Sequence, residues 1–125
     1  MKKRSYKITF GLQEGYAPDS RVHTLHFAGK LIHDWMAERL ADNEPVVAGF
    51  LQEGILFFPA VDAKAKDPVT ASPSAVFTGE LLSPGDLERT HKEVRQTLES
   101  LATALKKGLK QESVYIIYLD KNWCV

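Results

Sequence analysis

The chain has 125 residues, 44% of them hydrophobic and 26% charged, with 16 Lys and Arg against 16 Asp and Glu. This is the arithmetic of one soluble domain spanning residues 1–125, too short for a multidomain enzyme, and a net charge of zero offers no global attraction to nucleic acid or an anionic membrane. The single cysteine, Cys124, excludes an intramolecular disulfide and a multi-cysteine metal cage, and a reducing cytoplasm is the expected compartment.

The start Met1-Lys2-Lys3-Arg4 is basic, but Tyr6, Ile8 and Phe10 then alternate with Lys7 and Thr9 instead of forming a continuous apolar run, so no export signal is expected. The same alternation, continued to Leu12, predicts a half-buried strand over residues 6–12. Residues 13–20 have loop composition and offer candidate N-caps. From Val22 the period changes: Leu25, Ala28, Ile32, Trp35, Met36 and Leu40 recur at threes and fours, which predicts a helix ending near Asn43, ahead of Pro45. Residues 46–58 are apolar almost throughout, interrupted at Gln52-Glu53-Gly54, where a hairpin or bend would add a strand. Residues 59–74, with three prolines and no period, are expected to form an exposed, mobile loop.

Strand character resumes over residues 75–81, with Ala75, Phe77, Gly79 and Leu81 alternating against Val76, Thr78 and Glu80. Ser83-Pro84 resembles a helix cap, but the capping box Thr90-His91-Lys92-Glu93 is the preferred start. Val94, Leu98, Leu101, Leu105 and Leu109 then form an apolar seam, Lys106, Lys107 and Lys110 suit the negative end of the helix dipole, and Gly108 marks a point of unwinding. A last strand over residues 113–119 is apolar on both sides.

The order β-α-β-β-α-β is that of an α+β, ferredoxin-like sandwich, an antiparallel sheet with two helices on one face. The segments Thr9-Phe10-Gly11-Leu12 and Gln111-Glu112-Ser113-Val114-Tyr115 resemble those of small uncharacterised bacterial domains of this architecture. The resemblance implies the fold, and carries no catalytic motif.

Two helices cover one sheet face, so the other must meet water, a ligand or another chain. Tyr115, Ile117 and Leu119, with Trp123 in the tail, are the candidate ligand or interface residues, and a homo-oligomer built through sheet faces or edges is expected. Among candidates for chemistry, His23, His26 and His33 read as a polar helix flank, since His33 lies about 10 Å along the axis from His26 and no cysteine or carboxylate pair completes a metal site. His91 reads as an exposed first-turn residue. The repeat Leu12-Gln13-Glu14-Gly15 and Leu51-Gln52-Glu53-Gly54 reads as turn chemistry rather than a catalytic carboxylate pair, and Glu80 as an edge-strand charge. No phosphate-binding glycine motif or cofactor signature is present. RNA recognition is disfavoured because Lys7, Thr9, Val76, Thr78 and Glu80, the outward residues of the first and third strands, cannot stack on bases.

The favoured functional reading is a non-catalytic homo-oligomeric module that binds a small ligand or a protein at a subunit interface. Trimeric signalling proteins of the PII and CutA types are similar in element order and in their use of long loops. A cofactor-independent enzyme of the dimeric α+β barrel type is the second reading, with His33, Glu80, His91 and Tyr118 as the residues to examine. A phage or mobile-element structural protein is the third.

Overall fold

In the computed structural model, the alternation that opens the chain becomes β1 (Arg4–Gly11), with Tyr6, Ile8 and Phe10 buried and Ser5 and Lys7 exposed. The structure describes residues 4–15, 17, 19–60, 62, 64, 66–81 and 88–125. After β1 come α1 (Leu25–Ala41), β2 (Phe50–Pro59), β3 (Val69–Leu81), α2 (His91–Leu109), β4 (Tyr115–Tyr118) and β5 (Lys121–Cys124). The strands form one antiparallel sheet in the order β2-β3-β1-β4-β5. Its first four members are the ferredoxin-like arrangement expected from the element order, and β5 is an addition at the edge.

Both helices start where a threonine hydroxyl replaces a missing backbone partner. Thr24 Oγ1 accepts from Phe27 N at 3.0 Å, and Thr90 Oγ1 accepts from Glu93 N at 3.1 Å. The α2 seam of Val94, Leu98, Leu101, Leu105 and Leu109 is fully buried against Ile8, Phe10, Ile116 and the rest of one sheet face. Helix α1 buries less, chiefly Ala28, Ile32 and Trp35. It is tied to α2 through Ser100, whose hydroxyl accepts from Trp35 Nε1 at 3.0 Å and Arg39 Nη1 at 3.2 Å.

Several boundaries depart from the sequence expectation. No hairpin forms at Gln52-Glu53-Gly54, because every residue of β2 is matched in register by β3, from Phe50 opposite Thr78 to Pro59 opposite Val69. The fifth strand is instead the C-terminal β5, joined to β4 by a turn in which Leu119 has φ 56°. Residues 69–74 belong to β3 rather than to a loop. Pro73 is tolerated there because β1 pairs with β3 only as far as Gly11 opposite Ser74. The side of Pro73 that lacks an N–H faces the line of β1 just beyond its last rung, and its carbonyl accepts from Leu12 N at 2.9 Å. Gly108 does not unwind α2: a Cβ there would lie 2.5 Å from Leu31 Cδ1, so its bareness lets the helices approach, and Lys110, at φ 52°, ends the helix. Ser83 and Pro84 lie outside the described residues.

Beyond Ser74 the β2–β3 ladder continues as an arm carried by two strands alone. Ile55, Leu56, Phe57 and Val69 are exposed on it. Nearer the body, the strap over residues 46–49 crosses β3 on the helix side, with Val47 buried and the Ala48 carbonyl accepting from the Tyr6 hydroxyl. This crossing requires a bare Gly79, where a Cβ would stand 2.3 Å from the Ala48 carbonyl oxygen; around Gly54 there is nothing within 4 Å. Gly79→Ala is therefore expected to cost about 1–3 kcal/mol through overpacking. Gly54→Ala should be neutral or gain up to about 1 kcal/mol from reduced chain entropy. Urea unfolding of the two variants against the parent checks the contrast.

Candidate functional site

The open face of the sheet contains a furrow made by missing side chains. Gly54, Ser74 and Gly11 stand side by side across β2, β3 and β1, and the next rung pairs Leu56 with Ser72. Small residues across three strands leave a trough in a face otherwise filled with side chains. The trough opens into a cavity of about 480 Å3, within the range of small-molecule sites of about 300–1,000 Å3. Its floor is Gly11, Ser72 and Ser74, its aromatic walls are Phe58 and Tyr115, and its polar end is Gln13, Gln111, Glu112 and Ser113.

The polar end is built by the exit from α2. Lys110 caps the helix in the left-handed conformation, and the Gln111 amide turns back to bond the Lys106 carbonyl at 2.9 Å. The Gln111 side chain thereby lies over the end of β1, where its Nε2 donates to the carbonyls of Gln13 at 3.0 Å and Leu109 at 3.1 Å. Beside the cavity, Glu14 Oε1 lies 3.0 Å from His23 Nε2, and the imidazole stacks on Phe27 with ring centroids 5.1 Å apart. His23 is thus a buried residue ahead of α1, not part of a polar helix flank. The two Leu-Gln-Glu-Gly segments also differ, one leaving β1 into a loop and the other running inside β2.

Of the candidates raised by the sequence, Tyr115 lines the cavity. Ile117 lies further along the same open face, beside Lys7 and Asn122 in the sheet register. Leu119 is in the β4–β5 turn, and Trp123 sits opposite Ile116, its buried Nε1–H without a hydrogen-bond partner among the described residues. His33 is an exposed residue of α1 whose Nδ1 lies 3.3 Å from Asp34 Oδ1, and this hydrogen bond, with the Lys30 charge, holds the Asp34 carboxyl below its ordinary range. Glu80 borders a separate open hollow with Ser5, Phe50 and Thr78. His91 and Tyr118 come together, with Nδ1 and the phenol oxygen 2.8 Å apart, but at the far end of β4 and on its helix side, away from the cavity.

Gln111, Glu112, Ser72 and Ser74 were not anticipated as site residues. One signal pointed towards them: the two segments that carry the resemblance to small bacterial domains, residues 9–12 and 111–115, meet at this cavity. Among the described residues there is no group of three side chains suited to a metal and no helix long and apolar enough to cross a membrane.

No family model and no curated protein matches the chain. Among solved structures it is similar to a phage SAM lyase in complex with S-methyl-5′-thioadenosine, at a TM-score of 0.68 and 16% identity, over 98% of this chain and 88% of that one. It is also similar to a phage SAM lyase in the apo state, at a TM-score of 0.63 and 17% identity, over 98% and 87% of the two chains. The likeness is one of fold. It overturns the expectation of a non-catalytic module, because the protein whose architecture this chain shares almost end to end is an enzyme with a small molecule bound.

Burial raises the Tyr118 phenol above its ordinary value of 10.0, against the opposing charges of Arg4 and Arg89. The neutral phenol's contribution to stability is whole below pH 10.0 and is lost as pH rises towards the folded value, because the unfolded chain gives up that proton first. Tyr118→Phe should flatten this part of the alkaline stability profile, as read by urea midpoints measured between pH 9 and pH 11.

Proposed function

We propose that this chain is a small homo-oligomeric enzyme that binds S-adenosylmethionine in the furrow and cleaves its sulfonium, releasing S-methyl-5′-thioadenosine. One observation carries the reading: a fold shared over 98% of the chain with a lyase that holds this thioether nucleoside occurs together with a cavity of nucleoside size, about 480 Å3, that has aromatic walls and a polar end. Phe58 and Tyr115 offer apolar faces to a purine, and Ser72, Ser74 and Ser113 offer hydroxyls to a ribose.

The chemistry suits so lightly equipped a site. A sulfonium carries its own leaving group, since the sulfur keeps the electron pair of the broken S–C bond and departs as a neutral thioether. A lyase adds no water, so the four-carbon fragment completes its valence when its own carboxylate oxygen bonds the carbon that sulfur leaves, closing a lactone with no proton to place. Positive charge on sulfur fades as the bond breaks, so apolar walls favour the transition state, whereas a carboxylate against the sulfur would stabilise the substrate. Glu112 therefore serves to hold the substrate's ammonium or ribose and not the sulfonium itself. Such catalysis draws on positioning and on exclusion of water, and needs no metal or cofactor.

The oligomer rests on the exposed apolar surface. Phe50 is 76% exposed, Phe57 66% and Ile55 63%, and with Ile117 they mark the open face and the arm as surfaces for further copies of the chain. We place the protein in the cytoplasm, in keeping with its lone cysteine.

Purified protein incubated with S-adenosylmethionine is expected to yield S-methyl-5′-thioadenosine by chromatography; no product at any pH between 6 and 9 would remove the proposal. Tyr115→Ala should lower kcat/KM by about 10- to 100-fold, the worth of one base–aromatic stack. Glu112→Gln should raise KM about tenfold with kcat not reduced, the signature of lost ground-state binding. Light scattering should give a mass that is a multiple of the 14.0 kDa chain, and Phe57→Asp on the arm should reduce it.

A further inference from the structure

The Gln111 carboxamide is held in one orientation by its surroundings. Its Nε2 spends its two hydrogens on the backbone carbonyls of Gln13 and Leu109, at 3.0 and 3.1 Å, and a flipped amide would set oxygen against two oxygens. Oε1 is thereby turned to the bare side of Gly11, only 2.5 Å from where a Cβ would stand, on the open sheet face and at the wall of the cavity. It accepts no hydrogen bond among the described residues. The site thus presents a fixed neutral acceptor that no group among the described residues satisfies.

We propose that Gln111 Oε1 selects an aminopurine by accepting a hydrogen bond from its exocyclic 6-amino group, which makes Gln111 a specificity-determining residue; this rests on the nucleoside reading of the cavity. A neutral amide oxygen matches a neutral amine, whereas an ammonium is better served by the Glu112 carboxylate in the same cavity. A 6-oxo purine would set its own acceptor against Oε1, with no water needed to make the mismatch unfavourable. Gly11 belongs to the device, because any side chain there would displace the carboxamide.

Calorimetric titration of the full chain with S-methyl-5′-thioadenosine and with its 6-oxo counterpart, S-methyl-5′-thioinosine, tests this directly. The wild type should bind the 6-amino ligand about tenfold or more tightly than the 6-oxo ligand. Gln111→Met should bring the two within about threefold, with cooperative unfolding retained at a midpoint lowered by the loss of its two bonds to backbone carbonyls. Gly11→Ala should do the same with Gln111 still in place. Equal affinities in the wild type, or a ratio retained in folded Gln111→Met, would overturn the role of Gln111 and leave the nucleoside site standing. Failure of the wild type to bind either ligand would overturn both.

Discussion

The architecture depends on an unequal ladder. Strand β1 stops pairing with β3 at Gly11 and Ser74, while β3 continues with β2 as far as Val69 and Pro59. The sheet body therefore ends where the helices end, and a two-stranded arm continues past it. The corner between arm and body is where the Gly54, Ser74 and Gly11 row leaves its trough, and where the exit of α2 brings Gln111 and Glu112 within reach. Had β1 continued beside β3, its next residues would have filled that corner.

The two faces of the sheet differ accordingly. On the helix side the rungs are filled by Leu51, Phe77, Ile8, Ile116 and Trp123, and α2 closes over most of them. On the open side large apolar groups such as Phe50 and Ile117 alternate with glycine and serine. One face thus carries stability, through about 25 cal/mol for each Å2 of apolar surface removed from water. The other leaves an open furrow floored by the small residues Gly11, Ser72 and Ser74.

Much of this was legible in the residues. Periodicity gave both helices, the capping box placed the start of α2 at Thr90, and alternation assigned the faces of β1 and β3. The first six residues of β3 were hidden because Pro68, Pro73 and the serines read as loop; only the place where β1 ends makes Pro73 acceptable in a strand. Strand β5 was hidden because Lys121-Asn122-Trp123-Cys124 has almost no apolar signal of its own and is held by pairing with β4. Tyr115 was singled out from its exposure alone. Gln111 had no local signature, since its placement needs the left-handed Lys110 beside it and a glycine 100 residues earlier in the chain, two facts that meet only in three dimensions. The non-catalytic reading was argued from the uncovered apolar sheet face, a feature that does not by itself separate a binding module from an enzyme.

Pro73 has a further consequence, for what the arm refuses. An apolar hairpin projecting from a domain invites a stray strand to continue its sheet, which is how edge strands seed aggregates. Along the margin left by the end of β1, Pro73 has no hydrogen to give and its carbonyl is already bound to Leu12, while the Val69 N–H is held by Asp67 Oδ1 at 3.0 Å. On this margin Pro73 and Val69 therefore give a stray strand little to pair with, and the outer edge of β2 is left as the open edge of the arm.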